Sequence, residues 1–313
     1  MSKTVKATVY GQEYTFVYDS SIGKYKAEIT APGDSSYQHN SEHYFPVAVS
    51  VTDEAGNVTN ASDTVGSFKD KLKLFVKEEI KPKVTGVSPS DGANITTSNP
   101  VFKFNVTDNS NGQSTGFSGI NPDSIVLAVA GKTIDNSKIS KKAVTGGYEC
   151  TYTPTEAITD GSCTFTVKVS DYDGNESDTV SVVFKVDTVP PTLDIYGIAD
   201  GMYTNERELD VSFKTSDGAS SPVTVRITVD GVDQGEVSVG SDGTGTKKVN
   251  LAGSDGEKII SVTATDSAGK ISTATRRVIL DTTPPEIIDV EITPNPVNCG
   301  QTFTIYVTLN EED

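Results

Sequence analysis

The chain contains the stretch Phe165-Thr166-Val167-Lys168-Val169-Ser170-Asp171-Tyr172-Asp173-Gly174-Asn175, and copies of its pattern lie at 47–57 and 260–270. Each copy begins with apolar residues at alternate positions, which places one face of a strand against a core. Each then closes on Asp and Gly, because Asp hydrogen-bonds to its own backbone and Gly accepts a positive φ in a tight turn. The recurrence predicts a tandem array of one β-module.

A second phrase joins the modules. It reads Asp187-Thr188-Val189-Pro190-Pro191 after the second copy and Asp281-Thr282-Thr283-Pro284-Pro285 after the third. A degenerate form, Lys77-Glu78-Glu79-Ile80-Lys81-Pro82, follows the first copy. Proline fixes φ and lacks an N–H donor, so it ends the ladder of one module and stiffens the crossing to the next.

Many short strands with turn signals and little helical periodicity predict an all-β fold of tandem sandwiches. We predict modules at 1–81 (module 1), 82–189 (module 2) and 190–284 (module 3). Residues 285–313 contain two strand patterns, which cannot bury a core alone. They are predicted to form a terminal β-pair or a truncated fourth module.

The sequence also predicts the local structure of three segments in modules 1 and 2. Polar residues predict a loop from Asn109 to Gly116 and a second loop from Ser140 to Gly147. The segment from Phe68 to Lys73 fits either a helical turn or an extension of the following strand.

The composition narrows the classes of partner. The formal net charge is −17, from 43 acidic and 26 basic residues. A field of this sign repels phosphate backbones and anionic lipid, so neither nucleic acid nor a membrane is expected as a partner. Met1 leads directly into a strand pattern with no apolar signal region, so export by a cleaved signal peptide is not expected.

The sequence contains no constellation typical of an enzyme. His39 and His43 are the only histidines, and both are expected in a solvated loop. They leave too few ligands for a typical zinc site and no base for a Ser or Cys nucleophile. The protein is therefore predicted not to be an enzyme, and no cofactor is expected.

The cysteines are Cys150, Cys163 and Cys299. Cys150 and Cys163 share the strand phase of apolar neighbours, so both are predicted to point inward as free core thiols. A disulfide between them is the alternative. It is less favoured because the two strands are expected in opposite sheets.

Calcium is the one ion that the acidic turns could hold. Asp171, Asp173 and Asp187 are the candidate ligands. An EF-hand is excluded, because Gly174 falls at the fourth position of the loop and Val182 occupies the twelfth, where a bidentate Glu is required. A looser site between modules and a purely structural role as turn residues both remain open.

The repeated motif resembles that of bacterial immunoglobulin-like repeats, whose modules end in V-x-V-x-V-x-D-x-x-G-N and are joined by D-T-x-P-P. The copy at 47–57 fits throughout, and in the second copy Phe165 replaces the first Val. The third copy departs further, with Ile260, Ala264 and Lys270, but it keeps the strand phase and the turn. The resemblance covers essentially the whole chain and implies tandem immunoglobulin-like β-sandwiches.

Two further segments narrow the resemblance. Residues 292–303, Ile-Thr-Pro-Asn-Pro-Val-Asn-Cys-Gly-Gln-Thr-Phe, resemble a T-P-N-P-V-N-x-G-x-x-F segment of tail-region proteins from phages and prophages of Gram-positive bacteria. The opening at 11–16 and 23–27 is similar to the same group. This resemblance implies a non-catalytic virion protein that extends or decorates a tail or contacts the host surface.

The same resemblance implies the partners. Other tail or virion proteins are expected to bind through 285–313, and a host surface glycan or protein is a further candidate. The alternative is a fragment of a bacterial adhesin or surface stalk, which would be extracellular or on the cell surface.

Overall fold

The computed structural model describes residues 3–108, 116–218 and 223–310. Its regular secondary structure is strand apart from three short 3₁₀ turns among the described residues, so the predicted all-β fold is confirmed. The chain divides into two units, Met1–Asp187 and Thr188–Asp313. The finer boundaries of modules 1, 2 and 3 stay predictions.

Module 1 contains one main sheet in the order β2-β1-β5-β6, with β7 paired to β5, and a separate β3–β4 pair. Its core contains Val5, Ala7, Val9, Tyr44 and Phe45. The strands are β1 (Thr4–Val9), β2 (Gln12–Thr15), β3 (Val17–Asp19), β4 (Lys24–Lys26), β5 (Phe45–Thr52), β6 (Val58–Ser62) and β7 (Lys73–Leu74).

Module 2 is a two-sheet sandwich, with sheets ordered β13-β14-β10-β8 and β12-β11-β15-β16-β9. Its strands are β8 (Lys83–Ser88), β9 (Asn94–Ile95), β10 (Phe102–Thr107), β11 (Val126–Val129), β12 (Lys132–Ile134), β13 (Ser140–Val144), β14 (Gly147–Tyr152), β15 (Gly161–Lys168) and β16 (Val180–Val186). Phe102 packs edge-on against Phe165 and Phe184 at the centre of the core.

The inward orientation of two cysteines in module 2 is confirmed. Cys150 lies on β14 and Cys163 on β15, so they belong to the two different sheets, and both are buried. Their thiols are free. Each fills core volume as a small apolar side chain.

Two local predictions can be compared with the structure. The loop predicted at Ser140–Gly147 is wrong, because Ser140–Val144 forms β13 and pairs with β14. β13 is an edge strand rich in lysine, and such charged edges carry little of the apolar alternation that marks a strand. The Phe68–Lys73 segment contains a 3₁₀ turn, Lys69–Lys71, followed at once by β7.

The polar loop predicted at Asn109–Gly116 lies outside the described residues except for Gly116, so that prediction stays open. Short 3₁₀ turns occur at Pro122–Ser124 and Asn136–Lys138.

Module 3 is a second two-sheet sandwich, with sheets ordered β17-β19-β22 and β18-β24-β23-β20-β21. Its core lies between the sheets and includes Phe213, Ile227 and Ile260. The strands are β17 (Thr192–Tyr196), β18 (Met202–Thr204), β19 (Glu208–Ser216), β20 (Thr224–Val229), β21 (Val232–Val237), β22 (Thr244–Asn250), β23 (Gly256–Thr265) and β24 (Ile271–Leu280).

The terminal segment forms an antiparallel hairpin of β25 (Ile287–Thr293) and β26 (Thr304–Leu309). Every residue of both strands is exposed. The two strands form a sheet of their own within the described part of the chain.

Among the described residues, no helix is long and apolar enough to cross a membrane.

Candidate functional site

In all three copies of the repeated turn, the carboxylate of the first Asp accepts from the backbone N–H of the fifth residue. The Asp171 carboxylate accepts from the backbone N–H of Gly174 at 2.7 Å and of Asn175 at 2.8 Å. Asp53 and Asp266 accept from the residue at the fifth position in the same way. Gly174 has a φ of 96°, which a residue with a Cβ rarely adopts. The turn chemistry predicted from the motif is confirmed.

The degenerate linker at 77–80 is hydrogen-bonded to the second of these turns. The Glu78 N–H donates to the Asp173 carboxylate at 3.0 Å, and the Asn175 side-chain amide donates to the Glu78 carbonyl at 3.0 Å. The Lys77 ammonium donates to the Asp173 carbonyl at 3.2 Å. The end of module 1 is therefore held against the repeated turn of module 2.

Ser118 and Gly119 complete this arrangement from a neighbouring loop. The fully buried Ser118 hydroxyl accepts from the Asp173 N–H at 3.1 Å and donates to the Glu78 carboxylate at 3.3 Å. The Gly119 N–H donates to Oδ2 of Asp108 at 2.6 Å. Three separate segments thus bring their polar groups to one place.

Three carboxyl groups meet there, and we call Glu78, Asp108 and Asp171 the acidic cluster. One carboxylate oxygen from each residue lies within 4.8 Å of those of the other two. Asp108 and Asp171 are each only 2% exposed, and Glu78 is half-buried. Among the described residues, none of the three forms an ion pair with Lys or Arg.

One atom of the cluster has unused hydrogen-bonding capacity. Oδ1 of Asp108 is buried and has no hydrogen-bond partner among the described residues, whereas Oδ2 accepts from Gly119. Leaving a buried carboxylate oxygen without a partner costs free energy, because the oxygen has given up its water.

Burial and mutual repulsion change the proton affinity of the cluster. Burial above all raises the pKa of Glu78 to about 7, with the contact to Asp171 and the charge of Asp108 acting in the same direction and the Ile80 N–H opposing them. Burial also raises the pKa of Asp108 to about 6, with the nearby charges of Asp171 and Asp173 acting in the same direction. Both shifts have the sign expected for carboxylates held together away from water.

The structure brings together two of the three candidate calcium ligands. Asp171 belongs to the acidic cluster, and Asp173 lies beside it through its bond to Glu78. Asp187 does not join them, because β15 and β16 are antiparallel and Asp171 and Asp187 follow opposite ends of that pair. The seven residues of β16 span about 23 Å at the rise of a strand. A single site that contains Asp171 and Asp187 is therefore wrong.

Glu78 and Asp108 were missed as candidates. Glu78 lies in the linker that departs from the D-T-x-P-P phrase, and Asp108 directly follows β10. Asp108 comes after alternating apolar residues, Phe102, Phe104 and Val106, as Asp171 comes after its own strand, and this is the signal in the sequence that could have identified it.

Aromatic rings pack beside the cluster. Tyr37 stacks on His43 with ring centroids 3.9 Å apart and on Tyr172 with centroids 4.3 Å apart. The Gln38 side-chain amide donates to the Ser118 carbonyl at 2.7 Å. These contacts join the loop at 34–43 of module 1 to module 2. His43 is thus half-buried in a stack, and its predicted solvated role is wrong.

A cleft of about 580 Å³ opens next to these rings, with Tyr10, Asp34, His39 and Tyr172 in its lining. The Tyr10 hydroxyl donates to Asp34 at 3.1 Å. Within the described residues, neither histidine ring hydrogen-bonds to a Ser, Thr or Cys side chain. Nothing in this lining forms the nucleophile–base pair that hydrolysis by a Ser or Cys enzyme needs.

Comparison with family models gives one match. Residues 191–282 match the family described as "Glucodextranase, domain B", which is a domain named after an enzyme. The match covers module 3 alone. No curated protein matches the chain.

Solved structures of several immunoglobulin-like proteins are similar to the chain. A structure of three immunoglobulin domains of titin is 11% identical, and the alignment covers 89% of this chain and 88% of the titin chain, with a TM-score of 0.47. Fibronectin(III)-like modules of Clostridium thermocellum CbhA are 17% identical, with coverage of 64% and 94% and a TM-score of 0.36. An ice-binding adhesin of an Antarctic bacterium is 19% identical, with coverage of 93% and 67% and a TM-score of 0.34.

These similarities concern the fold. Modules 2 and 3 are each built of two β-sheets, and module 3 is the part of the chain that the family model matches. Repeats of this kind are typically non-catalytic modules, and the same fold serves many unrelated functions.

Proposed function

We propose that the protein is a non-catalytic structural component of a phage or phage-like tail, which it extends, decorates or links to the host surface. The resemblance of 292–303 to phage tail-region proteins supports this assignment over other uses of the fold. The protein would act in the virion and be made in the host cytoplasm. Its partners would be other tail proteins and a glycan or protein of the host surface.

One structural observation carries the proposal, and it lies in the terminal hairpin. In the pairing of β25 with β26, Val290 lies opposite Val307 and Ile292 lies opposite Ile305, so these four side chains share one face. The other face carries Glu291 opposite Tyr306. The hairpin therefore has one apolar face, as a strand pair of a sandwich has.

That apolar face is exposed in the described part of the chain, with Ile305 53% exposed and Val307 52% exposed. Both edges of the two-stranded sheet are also unpaired there. Free edges and an uncovered apolar face favour pairing with added strands. The occupant that fits is a strand-rich segment of a neighbouring tail protein, which would complete a sandwich on residues 285–313.

A second candidate is a bacterial adhesin or surface stalk of which this chain is a fragment. The match of 191–282 to the family described as "Glucodextranase, domain B" favours it, because that description names an enzyme and not a virion protein. In this case the hairpin would continue into a further repeat of the same protein.

Fractionation of the source organism distinguishes the two. Prophage induction followed by particle purification should place the protein in tail fractions, where mass spectrometry and antibody labelling detect it. Recovery from the cell-wall fraction of uninduced cells, as part of a longer polypeptide, would refute the tail assignment and support the surface protein.

A further inference from the structure

We propose that the acidic cluster of Glu78, Asp108 and Asp171 binds one calcium ion, which fastens the end of module 1 to module 2. The proposal does not depend on whether the protein belongs to a tail or to a cell surface. It rests on the position of the three carboxyl groups and on the unused oxygen of Asp108.

The buried Oδ1 of Asp108 is the observation that points to a ligand. Asp108 is 98% buried, its Oδ2 is occupied by the Gly119 N–H, and its Oδ1 has no partner among the described residues. A hydrogen bond or an ion must repay the lost hydration of such an oxygen. The groups nearest to it in the cluster are carboxylates, which when ionised accept hydrogen bonds but cannot donate them.

The spacing of the cluster suits a cation of the size of calcium. Calcium binds oxygen at about 2.3–2.6 Å, so two ligands on opposite sides of the ion are about 4.6–5.2 Å apart. Three oxygens that lie within 4.8 Å of one another can therefore all contact one ion. Asp173, which lies beside the cluster, is a further source of oxygen.

The ligand chemistry favours calcium over other common ions. All three groups are carboxylates, and zinc sites in proteins normally use His or Cys. Two of the carboxylates are already held by backbone N–H groups: Asp171 by Gly174 and Asn175, and Asp108 by Gly119. Calcium accepts such irregular sites with six to eight oxygens, whereas magnesium demands near-ideal octahedral geometry.

Bound calcium would link segments that are far apart in the sequence. Glu78 belongs to the linker after module 1, whereas Asp108 follows β10 and Asp171 follows β15 in module 2. An ion that binds only when the three are together stabilises that arrangement by mass action. We therefore expect calcium to raise the melting temperature of the unit at 1–187.

The turn at Asp53 provides a matched control. The Asp53 carboxylate accepts from the backbone N–H and the side-chain amide of Asn57, as the Asp171 carboxylate does from those of Asn175. Asp53 is exposed, however, and belongs to no acidic group found among the described residues. Substituting Asp53 removes an equivalent turn carboxylate without touching the cluster.

The test is a calcium titration of the full chain, stripped with EDTA and exchanged into 150 mM NaCl to screen its general acidity. Isothermal titration with CaCl₂ should give one saturable site with a Kd below about 1 mM, within the range of calcium modules. Asp108→Asn and Glu78→Gln should each weaken binding at least tenfold, and Asp53→Asn should leave it unchanged. CaCl₂ should raise the melting temperature more than the same concentration of MgCl₂.

Other results would overturn the proposal. The first is the absence of saturable calcium binding at CaCl₂ concentrations up to 10-fold above the expected limit of about 1 mM for the Kd. This result would mean that the carboxyl groups of the cluster hold protons instead of calcium. The second is a saturable site that both cluster variants leave intact. Circular dichroism checks that each variant is folded, and Glu78→Gln decides the matter if Asp108→Asn does not fold, because Glu78 lies in a linker rather than beside a core strand.

Discussion

The stack of Tyr37 on Tyr172 should contribute measurably to the join between modules 1 and 2, and Tyr172→Ala tests this. Tyr172 is 38% exposed, so about 60% of it is covered. An aromatic side chain buries about 150–250 Å² when fully covered, so Tyr172 buries about 90–150 Å². The change to Ala removes this buried area. At 25 cal/mol per Å² this corresponds to about 2–4 kcal/mol, and the ring–ring contact adds about 0.5–1.5 kcal/mol.

Amide hydrogen exchange at residues 34–43 measures this loss of local stability. Residues 34–43 include the amides of Ser36, His39 and His43, which donate to backbone carbonyls and should be protected. Loss of about 2 kcal/mol of local stability corresponds to about 30-fold faster exchange through local opening. The measurement is made in EDTA so that bound ions do not contribute.

A double-mutant cycle isolates the stack. Tyr37→Ala and Tyr172→Ala together should cost about 0.5–1.5 kcal/mol less than the sum of the two single changes. Tyr172→Phe keeps the ring and should stay within about 0.5 kcal/mol of the parent. Tyr18, whose ring contacts Tyr25 in a tilted arrangement, serves as the control partner, and the loss from its truncation should add to the loss from truncating Tyr37. Additive losses of stability on truncating Tyr37 and Tyr172 would refute the claim that this stack stabilises the contact between modules 1 and 2.

Three further results are expected. Ellman's reagent should label only Cys299 in the native chain and all three thiols in denaturant, because Cys150 is fully buried and burial raises its pKa to about 11; fast labelling of two or more native thiols would contradict the packing. Gly245→Ala should destabilise the unit at 188–313 by about 1–3 kcal/mol in urea, because a Cβ there would lie 2.4 Å from the Phe213 ring; an unchanged midpoint would show that the ring moves freely. Deletion of 285–313 should leave the melting temperature of the remaining chain within about 2 °C, because β25 and β26 are exposed throughout, and the truncated chain should fail to join tail particles; a truncated chain that still assembles would refute the attachment role.

Local patterns were sufficient for the repeated strands and their turns. Alternation of apolar residues depends only on the two-residue period of a strand, and the Asp–Gly turn is closed by bonds within five residues. The strand before Asp171 and the turn after it could therefore be predicted, as could the inward direction of Cys150 and Cys163. The edge strand at Ser140–Val144 could not, because its sequence lacks regular apolar alternation and its pairing with β14 makes it a strand.

The acidic cluster depended on the tertiary structure. Glu78, Asp108 and Asp171 come from a linker, the end of β10 and a turn after β15, and nothing in their spacing along the chain shows that they meet. Asp187 looked equally suitable, but antiparallel pairing carries it to the other end of the strands. Sequence shows which residues can ligate a cation, whereas strand order and direction decide which of them share one site, because those are set by the packing of the whole core.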